Sequence, residues 1–134
     1  MEIEHSYIIA INHERSIEYS NDCLLSCREH NIPAEVFFGF EYPLDETGYW
    51  QLPNVSINPI LATEEHREYL NEALCSASHI ALWKKIATSH EKAVAIFEHD
   101  VIAYRSLEGI DVQDGYIVYL GYRLKNKEDY QPVS

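Results

Sequence analysis

The densest chemistry in the chain lies in Val94-Ala95-Ile96-Phe97-Glu98-His99-Asp100-Val101. Four apolar residues run into two carboxylates that flank an imidazole, and apolar character resumes at Val101 and Ile102. A continuous apolar run bounded by polar residues reads as a strand buried on both faces, as in a parallel sheet. Ligands of open α/β sheets sit beyond the carboxyl ends of such strands. Carboxylates at that edge can hold a divalent cation, and the cation can hold a diphosphate. The plainer alternative leaves Asp100 capping a turn and Glu98 and His99 solvated.

Other elements must position these groups. Ser6-Tyr7-Ile8-Ile9-Ala10-Ile11 reads as a first strand, followed by the polar loop Asn12-His13-Glu14-Arg15-Ser16. Ser16 reads as an N-cap with Glu18 in the first turn. The helix it opens carries Ile17, Cys23, Leu24 and Cys27 on one stripe and stops near Asn31, before Ile32-Pro33. Residues 34–38 form a second strand, giving a strand–helix–strand crossover unit. Residues 39–61, punctuated by Pro43, Gly48, Pro53 and Pro59 and bearing Tyr42, Tyr49 and Trp50, read as a long irregular loop. Thr63 caps a short helix, and a longer one covers 71–89 with Leu70, Leu74, Ala77, Ala81 and Leu82 on a face. Residues 93–98 make the third strand and 116–120 the fourth. The expected architecture is one α/β domain over residues 1–124, with a mostly parallel sheet flanked by helices, and a polar tail at 125–134.

Composition narrows the function. The chain has 134 residues, enough for one domain with a core, and 46% of them are hydrophobic. No stretch approaches the roughly 20 apolar residues of a membrane span. The start Met1-Glu2-Ile3-Glu4-His5 lacks a signal peptide's basic region, and the cysteine usage makes a reducing, cytoplasmic setting the simplest expectation. A net charge of −12 argues against a nucleic-acid surface. That charge also repels an anionic nucleotide unless a cation screens it, which favours a metal-assisted site. Cys23, Cys27 and Cys75 show neither a disulfide framework nor zinc-site spacing, and each reads as a small buried apolar residue in a reducing compartment.

Taken together, four segments resemble glycosyltransferase family 25, the lipooligosaccharide galactosyltransferase type that includes collagen galactosyltransferases. Tyr7-Ile8-Ile9-Ala10-Ile11-Asn12 followed by Arg15 resembles the family's opening strand and Asn-Leu-x-Arg loop. The stretch Ala73-Leu74-Cys75-Ser76-Ala77-Ser78-His79-Ile80-Ala81-Leu82-Trp83 resembles its Gly-Cys-x-x-Ser-His helix. Ala95-Ile96-Phe97-Glu98-His99-Asp100-Val101 resembles its apolar-Glu-Asp-Asp-Val segment, and Ile117-Val118-Tyr119-Leu120-Gly121 its later strand ending in Leu-Gly.

The resemblance implies a GT-A-like, Rossmann-like fold and the transfer of a hexose from a nucleotide-sugar donor to a glycan or protein acceptor. Asp100 matches the last acidic residue of the signature and is the expected ligand of Mn²⁺ or Mg²⁺. His99 replaces the middle aspartate and is a second candidate ligand, at the loss of a charge and a hard oxygen. Asn12, Arg15, Ser78, His79 and Glu98 match positions expected around the donor. Ser78 and His79 read equally as a hydrogen-bonded pair that fixes helix to sheet. No residue matches a catalytic base. A second arginine of the opening loop is replaced near Glu18-Tyr19, and Leu74 stands where the family has glycine. The resemblance also implies a further segment beyond Gly121, so the expectation is a shortened member.

Two functions follow from that expectation. One is an enzyme in which a metal at Asp100 grips the donor diphosphate while Asn12 and Arg15 approach the nucleotide. The other is a non-catalytic nucleotide-sugar-binding or interaction module on the same fold. Tyr116, Tyr119 and Tyr122 cluster near the last strand, where a homodimer contact is expected.

Overall fold

The computed structural model describes residues 1–39, 51–52, 55–56, 67–118 and 120. Strand β1 (His5–Ala10) is followed by helix α1 (Glu14–Glu29) and strand β2 (Ala34–Phe38). Two short strands, β3 (Gln51–Leu52) and β4 (Val55–Ser56), pair antiparallel. Helix α2 (Arg67–Ala87) and strand β5 (Val94–Glu98) complete the set. The main sheet has the order β2-β1-β5, with both pairings parallel. The expected strands at 6–11, 34–38 and 93–98 are therefore present, within a residue of their expected ends.

The central strand is buried along five consecutive residues, from Ser6 to Ala10. Its side chains alternate between two cores, as strand geometry requires. Ile8 packs with Cys23, Cys27 and Ile32 on the α1 side, where Phe97, Val101 and Leu107 also contribute. Tyr7 and Ile9 pack with Leu82 on the α2 side, beside Phe37, Ile86, Val94 and Ile96. Covering both faces with helices explains the unbroken apolar run of the sequence.

The N-cap of helix α1 lies three residues before the expected Ser16. His13, in extended conformation, is the N-cap, and its ring Nδ1 accepts from Arg15 N–H at 3.3 Å. Ser16 lies inside the first turn and is buried. The face that meets the sheet is Ser16, Ser20, Cys23, Ser26 and Cys27, while Ile17 and Leu24 are half-buried flanks. Small side chains let the helix approach closely, and the serine hydroxyls are satisfied locally. Ser20 Oγ donates to Ile17 O and Ser26 Oγ to Cys23 O. At the other end Asn31 adopts φ 57°, Ile32 N donates to Cys27 O and Asn31 N to Arg28 O. That is a Schellman cap, with the Ile32–Cys27 contact as its apolar component.

Two expectations are corrected. Tyr116, Ile117, Val118 and Leu120 form no strand and are exposed. After β5 the chain crosses the α1 side of the core, where Ala103 N donates to Ser26 Oγ at 2.9 Å. It reaches the opposite end of the sheet, where Val112 N donates to Met1 O and the N-terminal ammonium pairs with Asp111. Tyr116, Ile117 and Val118 pair with no strand, and β-propensity without a partner strand makes no ladder. The 39–61 segment is not wholly irregular either, since it holds β3 and β4. Tyr42, Tyr49, Trp50, Thr63, Tyr119, Tyr122 and the 125–134 tail lie outside the described residues. Among the described residues, no helix is long and apolar enough to cross a membrane.

Close packing joins α2 to the end of β2. A Cβ on Gly39 would lie 2.7 Å from Ser78 Cβ, and rotating the serine hydroxyl cannot relieve a clash with its Cβ. Gly39→Ala should therefore destabilise the fold by about 1–3 kcal/mol, the usual cost of overpacking. An unchanged urea midpoint would show that α2 shifts freely at this point.

A second prediction concerns pH. Buried Tyr7 donates to Glu91 Oε2 at 2.7 Å, and burial, then this bond and the Glu91 and Glu35 charges, push its pKa up from 10.0 to about 12. Folding thus favours the protonated phenol. Its stabilisation is complete below pH 10 and is lost as pH rises toward 12. Cys23, pushed by burial to about 12, acts in the same direction from pH 9 upward. Denaturant midpoints measured from pH 9 to 12 should fall, and above pH 10 the fall should be shallower in Tyr7→Phe.

Candidate functional site

The parallel register brings the carboxyl ends of the three strands to one edge. Ile9 pairs with both Phe37 and Glu98, so the loop after β1 and the turn after β5 are neighbours. Asn12 and Arg15 are exposed in the first loop and first helical turn. Glu98, His99 and Asp100 follow in the second, closed by a Val101 N–H to Glu98 O bond of 3.2 Å. Ser16 ties the two loops together. Its Oγ accepts from Ile11 N–H at 2.9 Å and lies 3.0 Å from His99 Nδ1. The His99 ring also stacks on Tyr19, with centroids 5.7 Å apart and planes 19° from parallel.

The three residues of the Glu-His-Asp segment do not share one side of the sheet. Glu98 is in register with Ile9 and continues the Val94, Ile96 row that faces α2. There its Oε1 is 3.8 Å from His79 Nε2. His99 turns to α1. Asp100 is exposed, and its charge is among the influences that raise the pKa of buried Cys23 on the α1 side. Adjacency in sequence therefore separates Glu98 from His99 in space, because alternate side chains of a strand leave by opposite faces.

Helix α2 supplies the rest of the edge. Leu74, Ala77, Ser78 and Leu82 are its buried stripe. Ser78 Oγ donates to Leu74 O at 2.7 Å, and its Cβ abuts Gly39, so Ser78 holds α2 against the end of β2. His79 is half-buried beside that stripe. Its ring meets exposed Trp83 edge-on, with centroids 6.2 Å apart. One turn earlier, Cys75 is exposed, contrary to the buried apolar role expected for it. Partial desolvation of its thiol against the helix, followed by the nearby Glu98 charge, raises its pKa. Cys23 and Cys27 are buried as expected, on the other side of the sheet.

Among the described residues, the group of three that could share a cation is Cys75, His79 and Glu98, whose ligand atoms all lie within 4.8 Å of one another. His99 and Asp100 are not in it. The sequence signal for Cys75 is its spacing four residues before His79, which places both on one face of a helix. The sequence points to Ser16 as an N-cap and to Tyr19 only as the site of a missing arginine, and their contacts with His99 appear only when β1 and β5 are paired.

A family model described as glycosyltransferase family 25 (LPS biosynthesis protein) matches residues 4–120. Comparison with curated proteins and with solved structures returns no match. The family match runs through β1, both helices, β5 and the crossing segment, so the edge just described lies wholly within it. On that coverage, the chain belongs to glycosyltransferase family 25.

Proposed function

We propose that this edge binds a nucleotide-sugar donor and that the chain transfers a hexose to a glycan or protein acceptor with a divalent cation. The observation that supports this most is the juxtaposition, within a family 25 domain, of the Asn12/Arg15 loop and the Glu98-His99-Asp100 turn at the carboxyl edge of a parallel sheet.

The side chains suit a Mn²⁺- or Mg²⁺-diphosphate. Asp100 offers an exposed carboxylate oxygen. His99 commits Nδ1 to Ser16, so Nε2 is the nitrogen it would present. Such ions take few protein ligands and complete their shell with phosphate oxygens and water. When bound, the ion would neutralise charge developing on the leaving diphosphate. Arg15 would add a positive charge beside the same phosphates, which matters in a chain of net charge −12. Asn12 would offer an amide to the donor from the end of β1. Ser16 and Tyr19 would hold the His99 ring, and Ser78 would keep α2 seated so that His79 and Glu98 border the sugar side.

A binding module without turnover is the second reading. It is favoured by the use of His99, at the middle position of the acidic signature, to bridge to Ser16 and Tyr19. Exposed Tyr116, Ile117, Val118 and Leu120 also suit a contact with a second copy of the chain.

Mn²⁺ with a nucleoside diphosphate should raise the melting temperature. Saturation at about 100 times Kd is worth about 2.7 kcal/mol, which is several degrees in a domain of this size. Asp100→Asn should remove the rise while leaving the ligand-free melting point in place. No shift at millimolar ligand would defeat the donor reading, and a shift without donor hydrolysis or transfer above background would select the binding module. Light scattering at tens of micromolar should give twice the chain mass, and a monomeric mass would exclude the dimer.

A further inference from the structure

We infer that Cys75, His79 and Glu98 form a binding site for a zinc-type transition-metal ion, distinct from any hard cation at Asp100. Three donors of different chemistry converge from two elements. Cys75 and His79 stand one turn apart on α2, and Glu98 ends β5 facing them. A thiolate sulfur, an imidazole nitrogen and a carboxylate oxygen form a donor set that zinc accepts, whereas Mg²⁺ and Mn²⁺ prefer oxygen.

Distances support closure around one ion. Zinc–ligand bonds of about 2.0–2.3 Å at tetrahedral angles put neighbouring donor atoms about 3.4–3.6 Å apart. His79 Nε2 and Glu98 Oε1 are already 3.8 Å apart. No pair in the trio exceeds 4.8 Å. The remaining contraction is about 1 Å, within the reach of rotamer adjustments in surface side chains. Glu98 is 62% exposed and Cys75 is exposed, so the ion has an entry path and a fourth position open to water.

Charge and orientation agree with the assignment. A thiolate and a carboxylate with neutral imidazole carry two negative charges, which a divalent ion balances. As the sulfur–metal bond forms, the thiol proton leaves to solvent. Trp83 lies edge-on to the His79 ring, whose Nε2 faces Glu98. Cys23 and Cys27 are buried on the α1 side of the sheet and do not compete as disulfide partners for Cys75. Bound there, the ion would clamp α2 to the end of β5.

Co²⁺ titrated into the full chain, reduced and free of nucleotide, tests the site. One Co²⁺ per chain should produce a near-ultraviolet sulfur-to-metal charge-transfer band with tetrahedral visible bands, and Zn²⁺ should bleach both. Cys75→Ser, at an exposed position, should remove the charge-transfer band. His79→Asn and Glu98→Gln should each weaken Co²⁺ binding at least tenfold, and Asp100→Asn should leave it unchanged. Far-ultraviolet circular dichroism of each variant separates ligand loss from unfolding. Absence of the band in the unmodified chain at millimolar Co²⁺ would overturn the site. So would a band that survives Cys75→Ser, or affinity unchanged in both His79→Asn and Glu98→Gln. Because no nucleotide is present, these results stand apart from the donor reading, which is judged by Mn²⁺, nucleoside diphosphate and Asp100.

Discussion

Strand β1 is hydrogen-bonded on both sides and covered on both faces, and the geometry of the edge descends from that position. A polar side chain in this setting costs free energy unless it finds a partner, which is why Tyr7-Ile8-Ile9-Ala10 is so apolar, although the buried Ser6 hydroxyl at the start of the same strand makes no hydrogen bond. Tyr7, the one hydroxyl-bearing residue of the four, reaches Glu91. Parallel pairing with both β2 and β5 then forces the connecting helices onto the sheet faces and puts the carboxyl ends side by side. Asn12 and Asp100, far apart in the chain, come to one edge of the sheet only because Ile9 is the shared register point of β2 and β5.

Helix α1 depends on the same strand for its inward face. Serine at positions 16, 20 and 26 allows a closer seat than leucine would, and each serine finds an acceptor or donor nearby. Ser26 does so twice, donating to Cys23 O and accepting from Ala103 N. The helix is thereby tied to the segment that follows β5, and Ser16 ties it to His99. Both connections leave the helix by way of hydroxyls. The polar serines of α1 thus do two jobs that an apolar stripe could not, closing the core and holding the loops of the edge.

Much of this was legible in the residues. The three core strands and the helix end at Asn31 follow from apolar runs and the Asn-Ile-Pro stop, and the family was legible through the resemblance of four segments in order. Three features were not legible, each for a physical reason. Serine scores as polar, so a serine-lined helix face does not register in a hydrophobic stripe. The Ile117-Val118 run has strand propensity, yet propensity is realised only beside a free edge, and contacts such as Met1 with Val112 direct the chain elsewhere. Cys75 looks like a core residue by type, but it falls beside the Leu74, Ala77, Ser78 and Leu82 stripe and so faces solvent.

Strand alternation also bears on how one acidic edge could discriminate between cations. Were Glu98, His99 and Asp100 all to converge, any divalent ion would find the same mixed shell, and affinity would follow the general order of transition metals rather than the needs of a diphosphate. The chain instead sends Glu98 to the thiol and imidazole of α2, and His99 to Ser16 and Tyr19. Asp100 keeps an exposed carboxylate, with the free Nε2 of His99 as the nitrogen in its vicinity. The thiol of Cys75 is thus kept apart from the carboxylate of Asp100. A thiolate-containing site on the α2 side would draw zinc-like ions away from Asp100, leaving its carboxylate to ions that favour phosphate. In a chain carrying 22 acidic residues against 10 basic ones, cations of every kind are attracted to the surface. Selectivity therefore has to come from donor type and placement, because net charge draws all of them alike.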